Sequence, residues 1–339
     1  MIQTAIVGAS GYTGVELLRL CAQHPSIEVV YATGDTQAGS RAATVYPNLA
    51  GQYPDLVFDE FEVERTAGLD LVLVALPHEA SLALVPQLVG RVGCVVDLSA
   101  AFRLKDAALY PRWYGFTHDQ PELLSSAVYG LPELHREQLR GAKLVATPGC
   151  HVTAATLALA PLVRAGLIAD SGIVVNSITG VSGAGRAPKH TSMFTAVDQD
   201  VTAYGLLDHR HTPEIEQEVG AQVLFTPHLA PLSRGLLATC YAAPGEHELS
   251  TQVLLRALGD FYAREPFVVV GEASPSTKAA LGSNAAHISA RFDERTGTVI
   301  AMCALDNLTK GASGGALQSA NVALGLPETA GLSSIGLYP

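Results

Sequence analysis

Short apolar runs alternate with amphipathic stretches along the first half of the chain. The apolar runs are continuous, which is typical of strands covered on both faces of a parallel sheet. In the stretches between them, apolar residues recur at helical spacing. This alternation of strand and helix predicts an α/β fold with a doubly wound parallel sheet of the Rossmann type. The predicted strands are residues 4–7, 28–32, 69–76, 94–98 and 144–147.

The second half of the chain has a different pattern. Its strand candidates are short and rich in β-branched residues, and two helical stretches begin at Pro213 and Ser250. This mixture predicts a second domain of the α+β class. Its strand candidates are residues 172–178, 222–225, 236–241, 267–270 and 298–302.

The length of 339 residues exceeds what one hydrophobic core usually serves. We predict a first domain of residues 1–149, rejoined by residues 311–339, and a second of residues 150–310. A net charge of -11 without basic clusters argues against nucleic acid or an anionic membrane surface as a partner. Five cysteines without a C-x-x-C pair argue against disulfides and a metal site. Without a basic leader or a long apolar run, we expect a cytoplasmic protein with reduced thiols.

A glycine-rich loop joins the first predicted strand to the first predicted helix. Its G-x-x-G-x-x-G spacing allows a tight turn and close approach of a pyrophosphate to the helix start. Glycine turns that bind no ligand are also common. The strand of residues 28–32 completes a βαβ unit and favours a dinucleotide site. The candidate cofactor-binding residues of the loop are Gly8, Ser10, Gly11, Tyr12, Thr13 and Gly14.

The segment after the second strand bears on the choice of cofactor. No acidic residue ends that strand to bind a ribose 2′-hydroxyl, whereas Thr33, Ser40 and Arg41 can hold a 2′-phosphate. This favours NADP, although Asp35 lies in the same segment. Ligands bind at the carboxyl ends of parallel strands, so residues after later strands are also expected to face the cofactor: Pro77 and Ser99.

Cys150 stands where a predicted strand meets a predicted helix. Pro148 and Gly149 end the strand, and an Ala- and Leu-rich stretch to Val163 predicts the helix. The unpaired N–H groups and the positive dipole of a helix start favour a thiolate. They can also bind the oxyanion formed when sulfur attacks a carbonyl. We therefore interpret Cys150 as a nucleophile, in preference to a buried structural thiol.

Titratable groups are concentrated in residues 209–214, His-Arg-His-Thr-Pro-Glu. Thr212 suits a helix N-cap and Pro213 the first helical position. Because two histidines lie beside a glutamate in a chain with a candidate thiol nucleophile, one of them is a candidate acid/base group.

Two further polar segments are candidates for ligand binding. Residues 306–316 predict a polar, glycine-rich loop that leads into a helix ending at Leu324. The cations of the second domain are either solvated surface groups or ligands of a carboxylate or phosphate: Arg186, Lys189 and Arg234.

Taken in order, these segments resemble the N-acetyl-gamma-glutamyl-phosphate reductase family, the arginine-biosynthesis branch of the aspartate-semialdehyde-dehydrogenase-like group. The resemblance extends over nearly the whole chain, and the ordered set is far more specific than any one motif. The motifs are GASGYTG (8–14), YGLPE (129–133), PGC (148–150), SGAGR (182–186), HRHTPEI (209–215), TPH (226–228) and DNLTKG (306–311).

The resemblance implies roles for individual residues. It implies Cys150 as the nucleophile and His211 as the acid/base group, with Glu214 supporting it, and it places Ser182, Gly183 and Arg186 near the substrate. We also predict that Ser182, Gly183 and Asn307 contact the cofactor. The predicted substrate ligands are Arg103, Ser182, Arg186 and Lys189.

The implied activity is NADPH-dependent reduction of an acyl phosphate through a Cys150 thioester. The expected products are N-acetylglutamate 5-semialdehyde and phosphate, and no metal is expected to take part. We expect the enzyme to be a homo-oligomer, a dimer or tetramer, with the second domain serving catalysis and dimerisation. One alternative is the lysine-pathway relative that acts on an aminoadipyl phosphate held by an acidic carrier protein, for which so acidic a chain offers little docking surface. Another, of a different class, is a non-catalytic NADP-binding regulator.

Three positions depart from the family pattern. Ala101 stands at the second acidic position of the usual Asp-Leu-Ser-Ala-Asp-Phe-Arg. His151 stands where an aromatic residue is common, and Gly315 stands where a glutamine is expected in the C-terminal glycine loop.

Overall fold

The computed structural model describes residues 1–246 and 248–339, and its contacts group them into two units. The first unit consists of Met1–Ala108, Thr117–Pro148 and Ala312–Leu332, and the second of Leu109–Phe116, Gly149–Gly311 and Ser333–Pro339.

Two short segments belong to the second unit, although the predicted domain boundaries place them in the first. The aromatic rings of Leu109–Phe116 pack on one another, and the Tyr114 hydroxyl donates to the Arg210 carbonyl at 3.2 Å. In the C-terminal tail, the Ser333 carbonyl accepts from the Asn284 N–H at 2.7 Å. These partners are distant in the sequence, so no local pattern indicates them.

Every predicted strand is present. The strands of the first unit are β1 (Ile2–Val7), β2 (Ile27–Ala32), β3 (Leu71–Val74), β4 (Cys94–Asp97), β5 (Val128–Tyr129) and β6 (Leu144–Ala146). Those of the second unit are β7 (Ile173–Gly180), β8 (Thr202–Ala203), β9 (Val223–Ala230), β10 (Leu236–Ala242), β11 (Val268–Val270), β12 (Ala286–Asp293) and β13 (Thr298–Leu305). The strand β9 ends five residues and β13 three residues later than predicted, and the other strand ends differ by at most two residues.

The helices include the predicted ones and several short additions. They are α1 (Tyr12–Cys21), α2 (Ala42–Val45), α3 (His78–Leu88), α4 (Tyr110–Tyr114), α5 (Pro121–Ser126), α6 (Pro132–Leu139), α7 (Cys150–Arg164), α8 (Phe194–Val197), α9 (Thr212–Val219), α10 (Thr251–Phe261), α11 (Thr277–Ala280) and α12 (Gly314–Ala323). After β3, α3 begins directly at His78, with Pro77 as its N-cap. Among the described residues, no helix combines the length and apolar character needed to cross a bilayer.

The sheet of the first unit has the strand order β2-β1-β3-β4-β6-β5, and every pairing in it is parallel. The chain moves to one side of β1 for β2 and to the other side for β3. The loop after β1 therefore lies at the topological switch point, where ligands bind in doubly wound sheets. The C-terminal α12 belongs to the same core, in which Leu317 packs with Leu17 and Leu71.

The sheet of the second unit is mixed, in the order β11-β12-β13-β10-β7-β9-β8. The pairs β7–β9 and β11–β12 are parallel, and the others are antiparallel. One face is covered by α7, whose central residues are buried against β10, β12 and β13. Burial alternates along β7, β9 and β10, so each strand presents every second side chain to the opposite face.

Candidate active site

Cys150 is the first residue of α7, and Gly149 is its N-cap. The Cys150 side chain is half-buried, whereas the other cysteines are buried: Cys21, Cys94, Cys240 and Cys303. Burial raises the thiol pKa of Cys21, Cys94 and Cys240 to about 12. Those thiols are therefore protonated at neutral pH, and the thiol with access to a ligand is that of Cys150.

Gly311 lies directly against Cys150. A β-carbon on Gly311 would be 2.7 Å from the β-carbon of Cys150, so a larger residue would displace the cysteine. Gly311 belongs to a π-helical turn, Thr309–Ser313, and such turns are frequent at functional sites. The sequence predicts a polar, glycine-rich loop here, whereas the structure has a buried helical turn. Asp306 explains the difference, because its buried carboxylate accepts two backbone N–H groups of the next residues and lets a polar segment pack inside the protein.

Glu214 connects the first turn of α9 to the start of α7. Its carboxylate is fully buried, at 0% exposure, and Oε1 accepts from the Gly149 N–H at 3.2 Å. The helix α9 begins at Thr212 with His211 as the N-cap, one residue earlier than predicted. Glu214 therefore fixes the peptide immediately before Cys150.

The imidazole of His211 packs on Gly149. The His211 backbone N–H donates to His209 Nδ1 at 3.1 Å, and the two ring centroids are 4.8 Å apart. The structure thus brings together the thiol of Cys150, the imidazole of His211 and the carboxylate of Glu214. These are the groups that the resemblance implies for catalysis.

His151 is buried beside this group. Its Nδ1 lies 2.7 Å from the Ser177 hydroxyl, and its Nε2 lies 3.1 Å from the Tyr204 hydroxyl. Burial and the charge of His209 lower the pKa of His151 to about 3. Burial and the charge of Arg210 lower the pKa of His209 to about 4, despite the opposite effect of an adjacent aspartate. His211 therefore sits beside two imidazoles that are neutral at physiological pH.

Sequence reasoning missed Tyr204 and Ser177, and it noted His151 only as a departure from the family pattern. His151 lies in α7, Ser177 lies in β7, and Tyr204 follows β8. Their contacts join positions 26 and 53 residues apart. No motif spacing could have indicated these contacts. The sequence does show one sign of them, because His151 is an ionisable residue in a helix rich in alanine and leucine.

A cavity of about 590 Å³ adjoins Cys150 within the second unit. Its lining includes His151, Tyr204, His209 and His211. Lys189 and Arg210 contribute positive charge, against one carboxylate, that of Asp200. Gly183 also lines the cavity, whereas the nearby Arg186 does not. The cavity therefore suits an anionic ligand of small-molecule size.

The other polar candidates of the second unit are hydrogen bonded within it. The Asn307 amide nitrogen donates to the Ser182 hydroxyl at 2.9 Å, and its oxygen accepts from the Gly235 N–H at 2.8 Å. Arg234 pairs with the buried carboxylate of Asp306 at 3.2 Å. Arg234 therefore has a structural role as the partner of this buried carboxylate.

The glycine loop of the first unit is closely packed. Gly8 has a φ of +84°, and a β-carbon there would lie 2.5 Å from the Ala75 carbonyl oxygen. A β-carbon on Gly14 would lie 2.3 Å from the Gly8 carbonyl oxygen. The Gly8 N–H donates to the Thr33 hydroxyl at 3.1 Å. Thr33 therefore fixes the loop, and the glycines let the start of α1 approach the end of β1 as a dinucleotide site requires.

Ser40 and Arg41 follow β2 on the surface of the first unit. Arg41 is 63% exposed and lies 3.5 Å from an Asp55 carboxylate that is 85% exposed. Such an exposed pair is weak. The Arg41 guanidinium is therefore available to an anionic ligand.

The loop after β4 is held by internal hydrogen bonds. Ser99 donates from its hydroxyl and its N–H to the buried Asp97 carboxylate, at 2.7 and 2.9 Å. Arg103 is 7% exposed and donates to the Leu98 carbonyl at 2.8 Å. At the Ala101 departure, the backbone carbonyl accepts from His118 Nε2 at 2.9 Å. These contacts give the loop a fixed shape.

Across the part of the chain that the structure describes, no group of three or more His, Cys, Asp or Glu side chains could hold a metal ion.

Two family models match the chain, each over one region. The model described as semialdehyde dehydrogenase, NAD binding domain, matches residues 3–142. The model described as semialdehyde dehydrogenase, dimerisation domain, matches residues 150–307.

Several curated relatives match over the full length. An N-acetyl-gamma-glutamyl-phosphate reductase of Heliobacterium modesticaldum is 46% identical and covers 100% of both chains. The protein of the same name from Symbiobacterium thermophilum is 47% identical, covering 100% of this chain and 99% of its own. That of Pseudomonas aeruginosa is 45% identical, covering 100% of both chains.

Solved structures share the fold at low identity. Aspartate semialdehyde dehydrogenase II of Vibrio cholerae has a TM-score of 0.71 at 16% identity and covers 95% of this chain and 98% of its own. The Candida albicans aspartate semialdehyde dehydrogenase with NADP has a TM-score of 0.70 at 14% identity, with the same coverage. The predicted fold class, a Rossmann-type sheet with a second α+β domain, is confirmed. On the full-length identity to its relatives, the chain belongs to the N-acetyl-gamma-glutamyl-phosphate reductase family.

Proposed function

We propose that this chain reduces N-acetyl-gamma-glutamyl phosphate to N-acetylglutamate 5-semialdehyde with NADPH, as a step of arginine biosynthesis. The names of its full-length relatives support this substrate. The observation that carries the chemistry is the half-buried Cys150 thiol at the start of α7, which lines one cavity with His211.

Cys150 begins the reaction as the nucleophile. His211 takes the thiol proton as the sulfur attacks the acyl carbon and a C–S bond forms. The bond from that carbon to the phosphate oxygen then breaks, and the leaving phosphate receives the proton from His211. An acyl thioester remains on Cys150. Because Glu214 accepts the Gly149 N–H, the later N–H groups of the first turn of α7 are left for the developing oxyanion.

The second half of the reaction reduces the thioester. NADPH, when bound, supplies the hydride for the thioester carbon. Collapse of the tetrahedral oxyanion then breaks the C–S bond, which releases the aldehyde and the Cys150 thiolate. His211, which has given its first proton to the phosphate, takes a second proton from solvent and transfers it to this thiolate, which restores the Cys150 thiol. The neutral neighbours His151 and His209 add no repelling charge while His211 is protonated.

The residues of the first unit fit a bound NADP. Gly8 and Gly14 form a turn that admits no side chain, at the switch point of a parallel sheet. We propose that this loop holds the pyrophosphate through Ser10, Gly11, Tyr12 and Thr13, and that Ser40 and Arg41 bind the 2′-phosphate. Thr33 supports the loop through the Gly8 N–H. Pro77, Ser99, Ser182, Gly183 and Asn307 stay predictions for the rest of the cofactor.

The substrate is proposed to occupy the cavity beside Cys150. Lys189 and Arg210 line it and can bind the phosphate and carboxylate groups of the acyl phosphate. Arg103, Arg186 and Ser182 stay predictions as further substrate ligands.

We also propose that the protein is a cytoplasmic homo-oligomer, a dimer or tetramer. Leu224, Val174, Tyr241 and Ile300 stand side by side across β9, β7, β10 and β13. Leu224 is 51% and Tyr241 37% exposed. An apolar row of this kind on an open sheet face favours a second copy as its cover. Among the described residues no cysteine is part of a disulfide, which suits a reducing compartment.

The decisive test compares substrates. We expect the purified chain to oxidise NADPH with N-acetyl-gamma-glutamyl phosphate, and not with aminoadipyl phosphate on its carrier protein. The phosphate-dependent reverse reaction on N-acetylglutamate 5-semialdehyde should run as well. A Cys150→Ala variant that still binds NADPH is the control. Reduction of the carrier-bound substrate alone supports the lysine-pathway alternative, and NADPH binding with no reductase activity supports a regulator.

A further inference from the structure

The side chain of Tyr204 lines the cavity that also holds Cys150 and His211. Its backbone N–H donates to the Pro227 carbonyl at 3.0 Å, which fixes the residue against β9. The ring packs edge-on against His209, with centroids 5.5 Å apart. The reaction described above assigns Tyr204 no role, although its hydroxyl is a strong hydrogen-bond donor in the same cavity as the reacting thiol.

Tyr204 is the outer member of a hydrogen-bonded row that runs from Ser177 through His151. The Ser177 hydroxyl is 2.7 Å from His151 Nδ1, and the Tyr204 hydroxyl is 3.1 Å from His151 Nε2. His151 is 2% exposed and stays neutral, so its ring has one N–H donor and one acceptor nitrogen. The row therefore has a direction, set by which nitrogen carries the proton.

Two proton arrangements satisfy both contacts. In one, Tyr204 donates its proton to His151 and His151 donates to Ser177. In the other, Ser177 donates to His151 and His151 donates to the Tyr204 oxygen, which leaves the Tyr204 O–H for the cavity. A thiolate at Cys150 favours the second, because negative charge in the cavity attracts an O–H donor. Burial and the charge of Cys150 also raise the pKa of Tyr204, so the hydroxyl keeps its proton.

We propose that Tyr204 is a further catalytic residue, whose hydroxyl donates a hydrogen bond to the acyl oxygen of the substrate. That oxygen becomes an oxyanion when Cys150 attacks and again after hydride transfer, so the bond strengthens in both transition states. His151 and Ser177 are positioning residues that hold the Tyr204 oxygen and leave its proton free. This inference rests on the proposed function, because it requires an acyl substrate on Cys150.

The first test replaces only the hydroxyl. We expect Tyr204→Phe to lower kcat for N-acetyl-gamma-glutamyl phosphate by about 100-fold or more, as removal of an oxyanion donor does, while KM and the Kd of NADPH change little. Tyr262→Phe is the matched control. The Tyr262 hydroxyl donates to the Leu157 carbonyl within the core of the same unit, so this variant should lose stability and keep its kcat.

A second test separates donation from packing. With 3-fluorotyrosine at position 204, the ring is nearly unchanged but the hydroxyl is a stronger donor. We expect the single-turnover rate at neutral pH to rise about two-fold or more. His151→Phe should lower kcat, and combined with Tyr204→Phe it should cost little more than Tyr204→Phe alone, because the two changes act on one hydrogen bond.

Three results would contradict either the proposed function or the donor role of Tyr204. A wild-type chain without reductase activity contradicts the proposed function itself. A wild-type chain that is active, with Tyr204→Phe retaining its kcat within a few-fold, overturns the donor role alone. A 3-fluorotyrosine variant whose single-turnover rate does not rise also overturns it, even where Tyr204→Phe fails to fold.

Discussion

The Nε2 atom of His211 occupies the space in which a side chain on Gly149 would begin. A β-carbon built on Gly149 would lie 2.2 Å from that nitrogen, far inside van der Waals contact. The same glycine donates its N–H to Glu214 and is the N-cap of the helix that starts at Cys150. One residue without a side chain therefore sets the distance between the candidate nucleophile and the candidate acid/base group.

We expect Gly149→Ala to displace the His211 imidazole and to lower kcat by about 100-fold or more, since general acid/base catalysis contributes about that much. NADPH oxidation at saturating substrate measures the effect. Gly259→Ala is the matched control, because Gly259 lies within α10 with nothing near its would-be β-carbon. That variant should gain about 0.5–1 kcal/mol of stability and keep full activity. An active Gly149→Ala enzyme would show that His211 tolerates displacement.

Iodoacetamide should label one cysteine and stop the reaction. Cys150 is half-buried, while burial shields the other cysteines and keeps the thiols of Cys21, Cys94 and Cys240 protonated. Peptide mass spectrometry of the inactivated protein should locate the adduct at Cys150, and bound substrate should slow its formation. Cys150→Ser should lower kcat at least about 1000-fold. Inactivation with the adduct on another cysteine would remove Cys150 from the nucleophile role.

Replacement of Arg41 should change cofactor preference. We expect Arg41→Ala to weaken NADPH binding about 10-fold or more and to leave NADH binding nearly unchanged, because only NADPH carries the 2′-phosphate that a guanidinium binds. Fluorescence titration with both cofactors measures this. Arg140→Ala, another exposed cation of the same unit in a weak surface pair, should affect neither cofactor. Equal weakening of NADPH and NADH would mean that another residue binds the 2′-phosphate.

Acid should destabilise the protein through His151. Burial and the charge of His209 lower the pKa of His151 to about 3 in the folded protein, from the ordinary histidine value of 6.5. Between these values the unfolded chain binds a proton that the folded chain does not, so stability falls by about 1.4 kcal/mol per unit as pH decreases. We expect His151→Phe to lose this contribution to the slope and to keep the one from His209, as urea unfolding at about pH 6 and about pH 5 would show. The exposed His190→Gln should keep the full slope, and a His151→Phe slope equal to that of the wild type would contradict the assignment.

Local sequence patterns predict a strand or helix where the residues of that element alone determine it. The continuous apolar runs of β1, β3 and β4 are buried on both faces of a parallel sheet, so composition alone identifies them. The strand β12 was missed because His287, Ser289 and Arg291 interrupt its apolar residues. Polar and apolar residues alternate in β12 because helices cover one face of its sheet. The strands β5 and β8 have two residues each, which is too short for a periodic pattern.

The sequence by itself determined that a glycine loop follows a buried strand and that Cys150 begins a helix. Both features depend on backbone preferences of neighbouring residues, chiefly the freedom of glycine and the effect of Pro148 on the strand before it. Only the tertiary structure decided what surrounds the thiol. The contact of Gly149 with Glu214 joins residues 65 positions apart, and that of His151 with Tyr204 joins residues 53 positions apart. Such contacts depend on how helices and strands pack against one another, and the periodicity of the sequence does not predict that packing.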